Sequence, residues 1–534
     1  MIDTAGPEVL LGERVRRDLE TGMALLADLL RRTLGPSTGV VLSQREGQGP
    51  EAIVSAGVLA RRMIAGARRP ESVGMMLLRH GVWRVHEATG DGGATTAALI
   101  HSLVTRGMRL IASGSDPLAL RQGMRMGLAA ALPALRGQTR PLDGDGGHLP
   151  ALLRTAAPDR EVADALGAIF AELGPEAGVE IEEYVGRRVG HRLIQGSRWA
   201  GAPVSSGFAG PAGEDTVLEE PYLLVSDQPL TRAEEVVPLL EQVVEEAGGP
   251  LLIVAPEVTG VALATLLRYR GSGTLDIVAC RPTSDGHIRE QLEDVATVTG
   301  AHLIGEELGY RLDDATTDDL GYARGVRIGP GWIEVAVGAG DAAAVEARCR
   351  ALRAELARTR DEVLRSALIR RIGNLGARSG VLELGASTDS ERELRREQVE
   401  RTLRLVPVAV EEGVLPGGAA SLLQCRAALD GAGLEGDALA GMMLVREALA
   451  APMTWLIRNA GREPAPILAE VARLGPAHGY DVVEGGVRDM WASGILDVTK
   501  VMRLALEAAV STAATALTAE ALVLTRSPVI SVTP

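Results

Sequence analysis

Seven consecutive residues, Gly90-Asp91-Gly92-Gly93-Ala94-Thr95-Thr96, offer the most informative local chemistry in the chain. Glycines let a backbone come close to a ligand, and the free N–H groups that open a helix favour an anion. The Asp91 carboxylate cannot itself take a phosphate; it fits such a place only with a cation such as Mg2+ between the two. Taken alone, the run also reads as an ordinary helix N-cap. Three other runs share that ambiguity. Thr33-Leu34-Gly35-Pro36 is a helix stop in a tight turn. Glu411 to Ala420, EEGVLPGGAA, is a Gly-rich turn into a helix or a flexible connection. In GILDVTK, Asp497 again stands where a helix cap would. None of these is a Walker A motif or a dinucleotide fingerprint.

Composition narrows the chemistry further. Of 534 residues 46% are hydrophobic and 23% charged, which excludes a disordered chain. Aromatics are 2%, so the cores must be packed from Ala, Val, Leu and Ile, with few rings to stack on bases or sugars. The net charge of -15 argues against a grip on nucleic-acid phosphate. Lys500 is the only lysine, which removes the usual point-charge partner of a phosphate. Cys280, Cys349 and Cys425 are odd in number and far apart, giving neither a zinc spacing nor a disulfide framework and fitting a reducing compartment. The eight histidines contain no HxxxH or HExxH pair. The first 20 residues bring in charge too early for a signal peptide, and 504–525 is too polar to span a bilayer. A cytoplasmic protein without membrane or nucleic-acid partners is expected.

The elements that must position these runs follow from periodicity. Residues 13–34 read as a helix on Val15, Leu19, Met23, Leu26 and Leu30, followed by a strand at 39–42. Helices are predicted at 72–88 and 95–110. In the middle, short β-branched runs at 222–225, 251–254 and 276–279 alternate with helices at 232–247 and 258–270, which argues for βαβ units and a parallel sheet. A charged helical stretch runs from 340 to about 372 and another from 388 to 412. The chain therefore reads as a helical domain split around an inserted α/β domain, crossing near the Pro/Gly-rich stretch 136–150.

In order and at these separations, the segments resemble the group I chaperonin family, the GroEL type, nearly end to end. TLGP at 33–36, GDGxxT at 90–95, VEEGVLPGG at 410–418 and GILDVTKV at 494–501 lie where that family has its nucleotide pocket. ALATLL at 262–267, EDVATVTGAHLIGEELG at 293–309 and TTDDLGYAR at 316–324 match its apical domain. The resemblance implies a mixed α and α/β, three-domain fold. Its parts would be an equatorial ATP-binding domain (1–137 and 412–534), an intermediate hinge domain (138–193 and 379–411) and an apical substrate-binding domain (194–378). It implies ATP and Mg2+ bound by Thr33, Leu34, Gly35, Pro36, Ser55, Asp91, Gly92, Gly93, Ala94, Thr95, Gly417, Gly418, Asp481, Val482, Val483 and Asp497. In that pocket Asp91 would hold the metal and Asp497 the ribose hydroxyls. It also implies unfolded polypeptides held on Phe208, Val237, Leu240, Leu263 and Leu267, a hinge at Gly196, heptameric rings, homomeric or mixed, and a co-chaperonin of the GroES type.

The departures from the family pattern concern hydrolysis. The carboxylate of the family's KDGV segment is replaced in Ser55-Ala56-Gly57-Val58 by Ala56, and the second family Asp, on the intermediate helix, is Arg401. No catalytic carboxylate is intact, and a positioned base is worth about 10²–10⁴ in rate. Gly93 and Ala94 replace two family threonines, which weakens the γ-phosphate contacts and the K+ site. Arg401 is either a solvated surface residue or an arginine finger. Arg268 replaces an apolar neighbour in the substrate groove, and Ala377-Arg378 replace the paired glycines of the second hinge. Pro407 should kink its helix or leave a carbonyl unpaired. The reading is a chaperonin that binds ATP but hydrolyses it poorly. The alternative is a non-hydrolysing, ring-forming holdase or structural paralogue that co-assembles with a catalytic chaperonin.

Overall fold

In a computed structural model of the chain the described residues are 8–36, 41–44, 50–63, 69–142, 147–157, 159–184, 186–194, 196–210, 215–283, 287–305, 309–359, 361–376, 379–430 and 433–524. They fall in two compact units. One comprises Met1–Gly167, Val185–Val189 and Leu384–Pro534; the other comprises Ala168–Tyr184 and Gly190–Glu383.

The first unit is helical. Glu13–Leu30 buries Val15, Leu19, Met23, Leu26 and Leu30, the stripe that its periodicity predicts. Arg69–Thr89 and Gly93–Ala112 follow, parted by the left-handed glycines Gly90 (φ 72°) and Gly92 (φ 80°). Pro117–Arg136 opens on Asp116, whose carboxylate accepts the N–H groups of Leu118 and Ala119. With so few rings to fill space, two helix pairs close backbone to backbone. A β-carbon on Gly22 would stand 1.8 Å from the carbonyl oxygen of Glu71, and one on Gly74 2.3 Å from that of Leu19. Gly123 stands in the same relation to Ala438 at 1.9 Å, and Gly441 to Leu120 at 2.1 Å, which joins Pro117–Arg136 to Gly436–Ala448. Glycine is required at all four positions by the space its neighbour leaves.

The second unit is built on an eight-stranded sheet, ordered Leu303–Ile304, Tyr222–Ser226, Leu251–Val254, Ile277–Pro282, Ser197–Pro203, Trp332–Gly338, Gly321–Ile328 and Thr216–Glu219. The first four strands are mutually parallel, as the alternation of strands with helices predicts. The rest pair antiparallel, which the expectation of a parallel sheet misses. The reason is local: only Gly329-Pro330-Gly331 links Gly321–Ile328 to Trp332–Gly338, and three residues cannot make a crossover.

Other boundaries shift for identifiable reasons. The helix expected at 232–247 is a turn at Ala233–Glu235, a short helix Val237–Gln242 carrying Pro238 in its first turn, and a wider turn at Val243–Ala247. The stretch from 340 to 372 is two helices, Ala342–Arg358 and Glu362–Leu375. Asp361 starts the second by accepting the N–H groups of Val363 and Leu364. Asp389–Glu412 passes through Pro407 without ending. The predicted strand at 39–42 is described from Val41, in the hairpin Val41–Gln44 with Pro50–Ile53. The hinge pair 377–378 lies outside the described residues.

The glycine contacts predict a contrast in stability. Gly123→Ala should lower the unfolding free energy by roughly 1–3 kcal/mol, because backbone must move to admit the methyl group. Gly167→Ala, inside the helix Arg160–Leu173 with nothing within 4 Å of its new carbon, should raise it by about 0.4–1 kcal/mol. Urea unfolding of the two variants checks both signs.

Candidate nucleotide site

The Gly90–Gly93 turn is wedged between helix starts. A β-carbon on Gly92 would lie 2.6 Å from Val501 Cγ1 and 3.0 Å from Val85 Cγ1. On Gly93 it would lie 3.1 Å from Ala56 Cβ and 3.2 Å from the Gly57 nitrogen. This turn therefore meets the beginnings of Ala56–Arg62 and Thr499–Leu517. The N-cap of Gly93–Ala112 is Gly92, and no side chain caps it. Asp91, which as a sequence reads equally as that cap, leaves its carboxylate without a hydrogen bond or ion pair among the described residues; only its backbone is held, by the Thr89 hydroxyl. The N–H groups at the helix start thus stay available for an anion.

Asp497 arrives from the other side. It lies on Leu496–Val498, paired antiparallel with Val414–Pro416 so that Leu415 stands opposite it. Gly417 permits no side chain: its β-carbon would sit 2.7 Å from the backbone of Ile495 and Leu496. Gly418 (φ 65°) and Ala419 (φ 59°) then turn the chain left-handed, and the Ala419 N–H donates to Asp497 Oδ2 at 2.9 Å. Burial pushes the Asp497 carboxyl up to about 7, and the charge of Asp91 adds to that; the N–H groups of Ala419 and Gly418 partly offset it. The two carboxylates therefore share one field, and neither has an ion-pair partner among the described residues.

Other predicted residues have braces of their own in the same unit. Thr33 donates its hydroxyl to the Leu30 carbonyl at 2.8 Å, and Gly35 is left-handed (φ 100°) against Leu456. Asn459 ties down this turn by donating to the carbonyls of Arg31 at 2.8 Å and Leu34 at 2.9 Å. Ser55 Oγ accepts the Val58 N–H at 3.4 Å. Asp481 is buried and committed to its own turn, accepting the N–H groups of Val483 at 3.0 Å and Glu484 at 3.1 Å. Val482 packs on the core, whereas Val483 is 70% exposed.

Of the two positions where the family pattern carries carboxylates, Ala56 faces Gly93 with a methyl group, and Arg401 stands on the helix Asp389–Glu412. Its Nη2 donates to the Ala156 carbonyl at 2.6 Å, so one end of the guanidinium is held by backbone. Sequence reasoning missed several neighbours. His86 is buried with its ring against Gly57, where a β-carbon would come within 2.2 Å of it. Burial pushes its imidazole down to about 4; Arg404, Arg401 and Arg61 push the same way and Asp91 opposes them. Lys500 pairs with Glu411 at 2.6 Å and Arg503 with Glu412 at 3.0 Å, which clamps the end of Asp389–Glu412 to Thr499–Leu517. Arg404 could have been found from its spacing, since it shares a helix face with Arg401 at i, i+3.

In the second unit the expected substrate residues divide. Phe208 and Leu240 are 0% and 1% exposed, inside the sheet's core, and they offer no surface to a client. One of only two phenylalanines in the chain is spent on filling space. Val237, Leu263 and Leu267 are half-buried at the surface. Gly196 (φ 141°) lies where a β-carbon would come 2.0 Å from the Val335 carbonyl oxygen, so close approach alone demands glycine there.

Among the described residues no three His, Cys, Asp or Glu side chains are grouped to hold a metal unaided, so a cation beside Asp91 would need ligand oxygens as well. Among the described residues no helix is long and apolar enough to cross a membrane. Residues 26–527 match the TCP-1/cpn60 chaperonin family. Among solved structures, the chaperonin gp146 from the bacteriophage EL 2 (Pseudomonas aeruginosa), crystallised in presence of ATP-BeFx, is similar in fold. The TM-score is 0.65 at 16% identity, covering 97% of this chain and 99% of that one.

The raised Asp497 carboxyl predicts a pH dependence with a definite sign. Between the ordinary carboxylate range near 4 and about 7, the unfolded chain has already released this proton while the folded chain retains it. Stability from this group is therefore present at low pH and lost as pH rises through that window. Asp497→Asn, which keeps an acceptor for Ala419, should gain stability over the parent progressively from pH 4 to 7 and hold that gain at pH 8. Urea unfolding at pH 4.5 and 8 measures the difference.

Proposed function

The chain belongs to the TCP-1/cpn60 chaperonin family, and on that premise we propose that it is an ATP-binding chaperonin that captures non-native polypeptides and hydrolyses ATP slowly. One observation carries the nucleotide reading: two unpaired carboxylates, Asp91 and Asp497, meet beside the uncapped start of Gly93–Ala112. A Mg2+-bound triphosphate satisfies all three groups. The metal would neutralise Asp91, the helix N–H groups would take phosphate oxygens, and Asp497 would accept from ribose hydroxyls. The bacteriophage chaperonin crystallised with ATP-BeFx supports the same reading.

Slow hydrolysis follows from what stands at the two altered positions. A methyl group at Ala56 cannot accept a proton from water, and the Arg401 guanidinium both lacks an acceptor and is engaged with Ala156. Loss of a positioned base costs about 10²–10⁴ in rate while leaving binding contacts in place. Client capture would rest on Val237, Leu263 and Leu267, a smaller apolar surface than five residues would give. Assembly in rings rests on family membership.

Two measurements test this. Calorimetry should show MgATP binding that Asp91→Ala weakens at least ~10-fold, whereas parent and variant binding ATP equally would remove the metal role of Asp91. The double variant Ala56→Asp, Arg401→Asp should turn over ATP roughly 10²-fold faster than the parent; a parent already as fast as the double variant would overturn the slow-hydrolysis reading. On the client side, Leu263→Glu should abolish co-sedimentation of a denatured protein with the chaperonin, and undiminished capture would take the groove away from this helix.

A further inference from the structure

The helix Gly260–Gly271, which holds Leu263 and Leu267, also presents a cation to solvent. Ala262, Thr265 and Leu266 face inward and are buried. On the outer side Val261, Ala264 and Arg268 stand at i, i+3 and i+7, so they share a stripe, and all three are exposed. Val261 is 61% exposed, a large apolar residue that the expected client set leaves out. Arg268 makes no hydrogen bond or ion pair among the described residues. The other arginine of the helix is engaged: Arg270 donates to the Ile277 carbonyl at 2.8 Å and pairs with Asp276 at 3.5 Å. The helix itself carries no acid. The turn Ser206–Phe208 packs on Leu267 so closely that a β-carbon on Gly207 would stand 2.6 Å from Leu267 Cδ2, and it has no charge either. At the far end, the Thr231 carbonyl accepts the N–H groups of Val261 and Ala262, and Glu235 is held by Arg232 at 2.9 Å. An exposed apolar stripe thus ends in an unengaged guanidinium.

We propose that this stripe selects non-native segments in which a carboxylate follows an apolar residue at short range, Val261 and Ala264 taking the apolar side chain and Arg268 the acid. This rests on the client reading above and names the class of segment that is favoured. Helix geometry sets the spacing. Seven residues at about 1.5 Å each put Arg268 roughly 10 Å beyond Val261, a length that an extended chain covers in about three residues. Apolar contact is indifferent to charge, so an uncharged helix would take acidic and basic segments alike. A guanidinium adds charge-assisted hydrogen bonds, in a fork that matches a carboxylate, to the acidic segment only. The net charge of -15 opposes such a segment at long range. At physiological ionic strength charges beyond about 8 Å are largely screened, so the contact at Arg268 decides. The loss of apolar surface that the sequence suggests at this position is thereby a gain in selectivity.

The test is fluorescence anisotropy of labelled peptides titrated with the full chain at physiological ionic strength. Three peptides share a Leu in an otherwise uncharged frame and differ only at the third position beyond it, which is Glu, Gln or Lys. The parent should bind the Glu peptide about 2- to 5-fold more tightly than the Gln peptide. Arg268→Ala should bring those two within ~1.5-fold of each other, and Arg268→Glu should bind the Lys peptide most tightly. Arg268 is exposed, so both variants should fold as the parent does, which circular dichroism checks. Equal parent affinities for the Glu and Gln peptides, or a Glu preference that survives in Arg268→Ala, would overturn the proposal while leaving client capture intact. So would a parent that captures a denatured protein but none of the three peptides. A parent that binds neither peptides nor denatured protein would remove the underlying client reading instead.

Discussion

Two carboxylates held near one another, neither paired with a basic side chain among the described residues, set the terms for the rest of the first unit. Asp91 comes from a turn and Asp497 from a strand some four hundred residues later in sequence, and the energy of holding two like charges together in a partly buried place is unfavourable until something positive offsets it. The fold keeps them there by means that do not depend on the charges. Gly417 sits on the backbone of Ile495 and Leu496, Gly92 on Val501, and the salt bridges from Lys500 and Arg503 fix the helix that follows Asp497. A cation that neutralises such a pair would remove a repulsion as well as form contacts.

That arrangement explains why the lost carboxylates did not take the pocket with them. The residues proposed to hold a magnesium-bound phosphate and the positions where the family pattern would orient water belong to different elements. Ala56 opens a seven-residue helix capped by Ser55, and replacing an acid there shrinks a side chain against Gly93 without disturbing the turn. Arg401 is tethered to Ala156, about three turns of helix away from the clamp at Glu411 and Glu412. On the proposed function, binding and hydrolysis would be separable in this chain, with the substitutions falling on the side of hydrolysis.

Much of this was legible in the sequence, because glycine and proline mark turns directly and periodicity marks buried faces. The stripe from Val15 to Leu30, the helix starts after Gly92 and Ala419, and the parallel strands at 222–225, 251–254 and 276–279 all follow from local chemistry. What escaped is what depends on partners distant in sequence. Whether Asp91 caps its helix or leaves its carboxylate open is decided by where Gly92 finds room against Val501. Phe208 and Leu240 look like surface groove residues by alignment with a motif, but in a chain so poor in rings the core claims them. The antiparallel half of the sheet hides in strands whose Gly and Pro content makes them weak signals. Arg404 carried a signal only to a reader asking what else shares a face with Arg401.

A chaperonin that hydrolyses ATP quickly uses the reaction as a clock, because each turnover limits how long the bound state lasts. On the slow-hydrolysis proposal that clock would be slow, and the conformational equilibrium would be set instead by differential affinity: a ligand shifts a population only as far as it binds one state better than the other. The energy available for a conformational change would then come from the triphosphate's contacts themselves, Asp91 through its metal and the N–H groups of the helix start. Such a device responds to the ratio of ATP to ADP around it more than to its own turnover. Client release would follow nucleotide exchange, and the rate of that exchange is governed by how firmly the terminal phosphate is held.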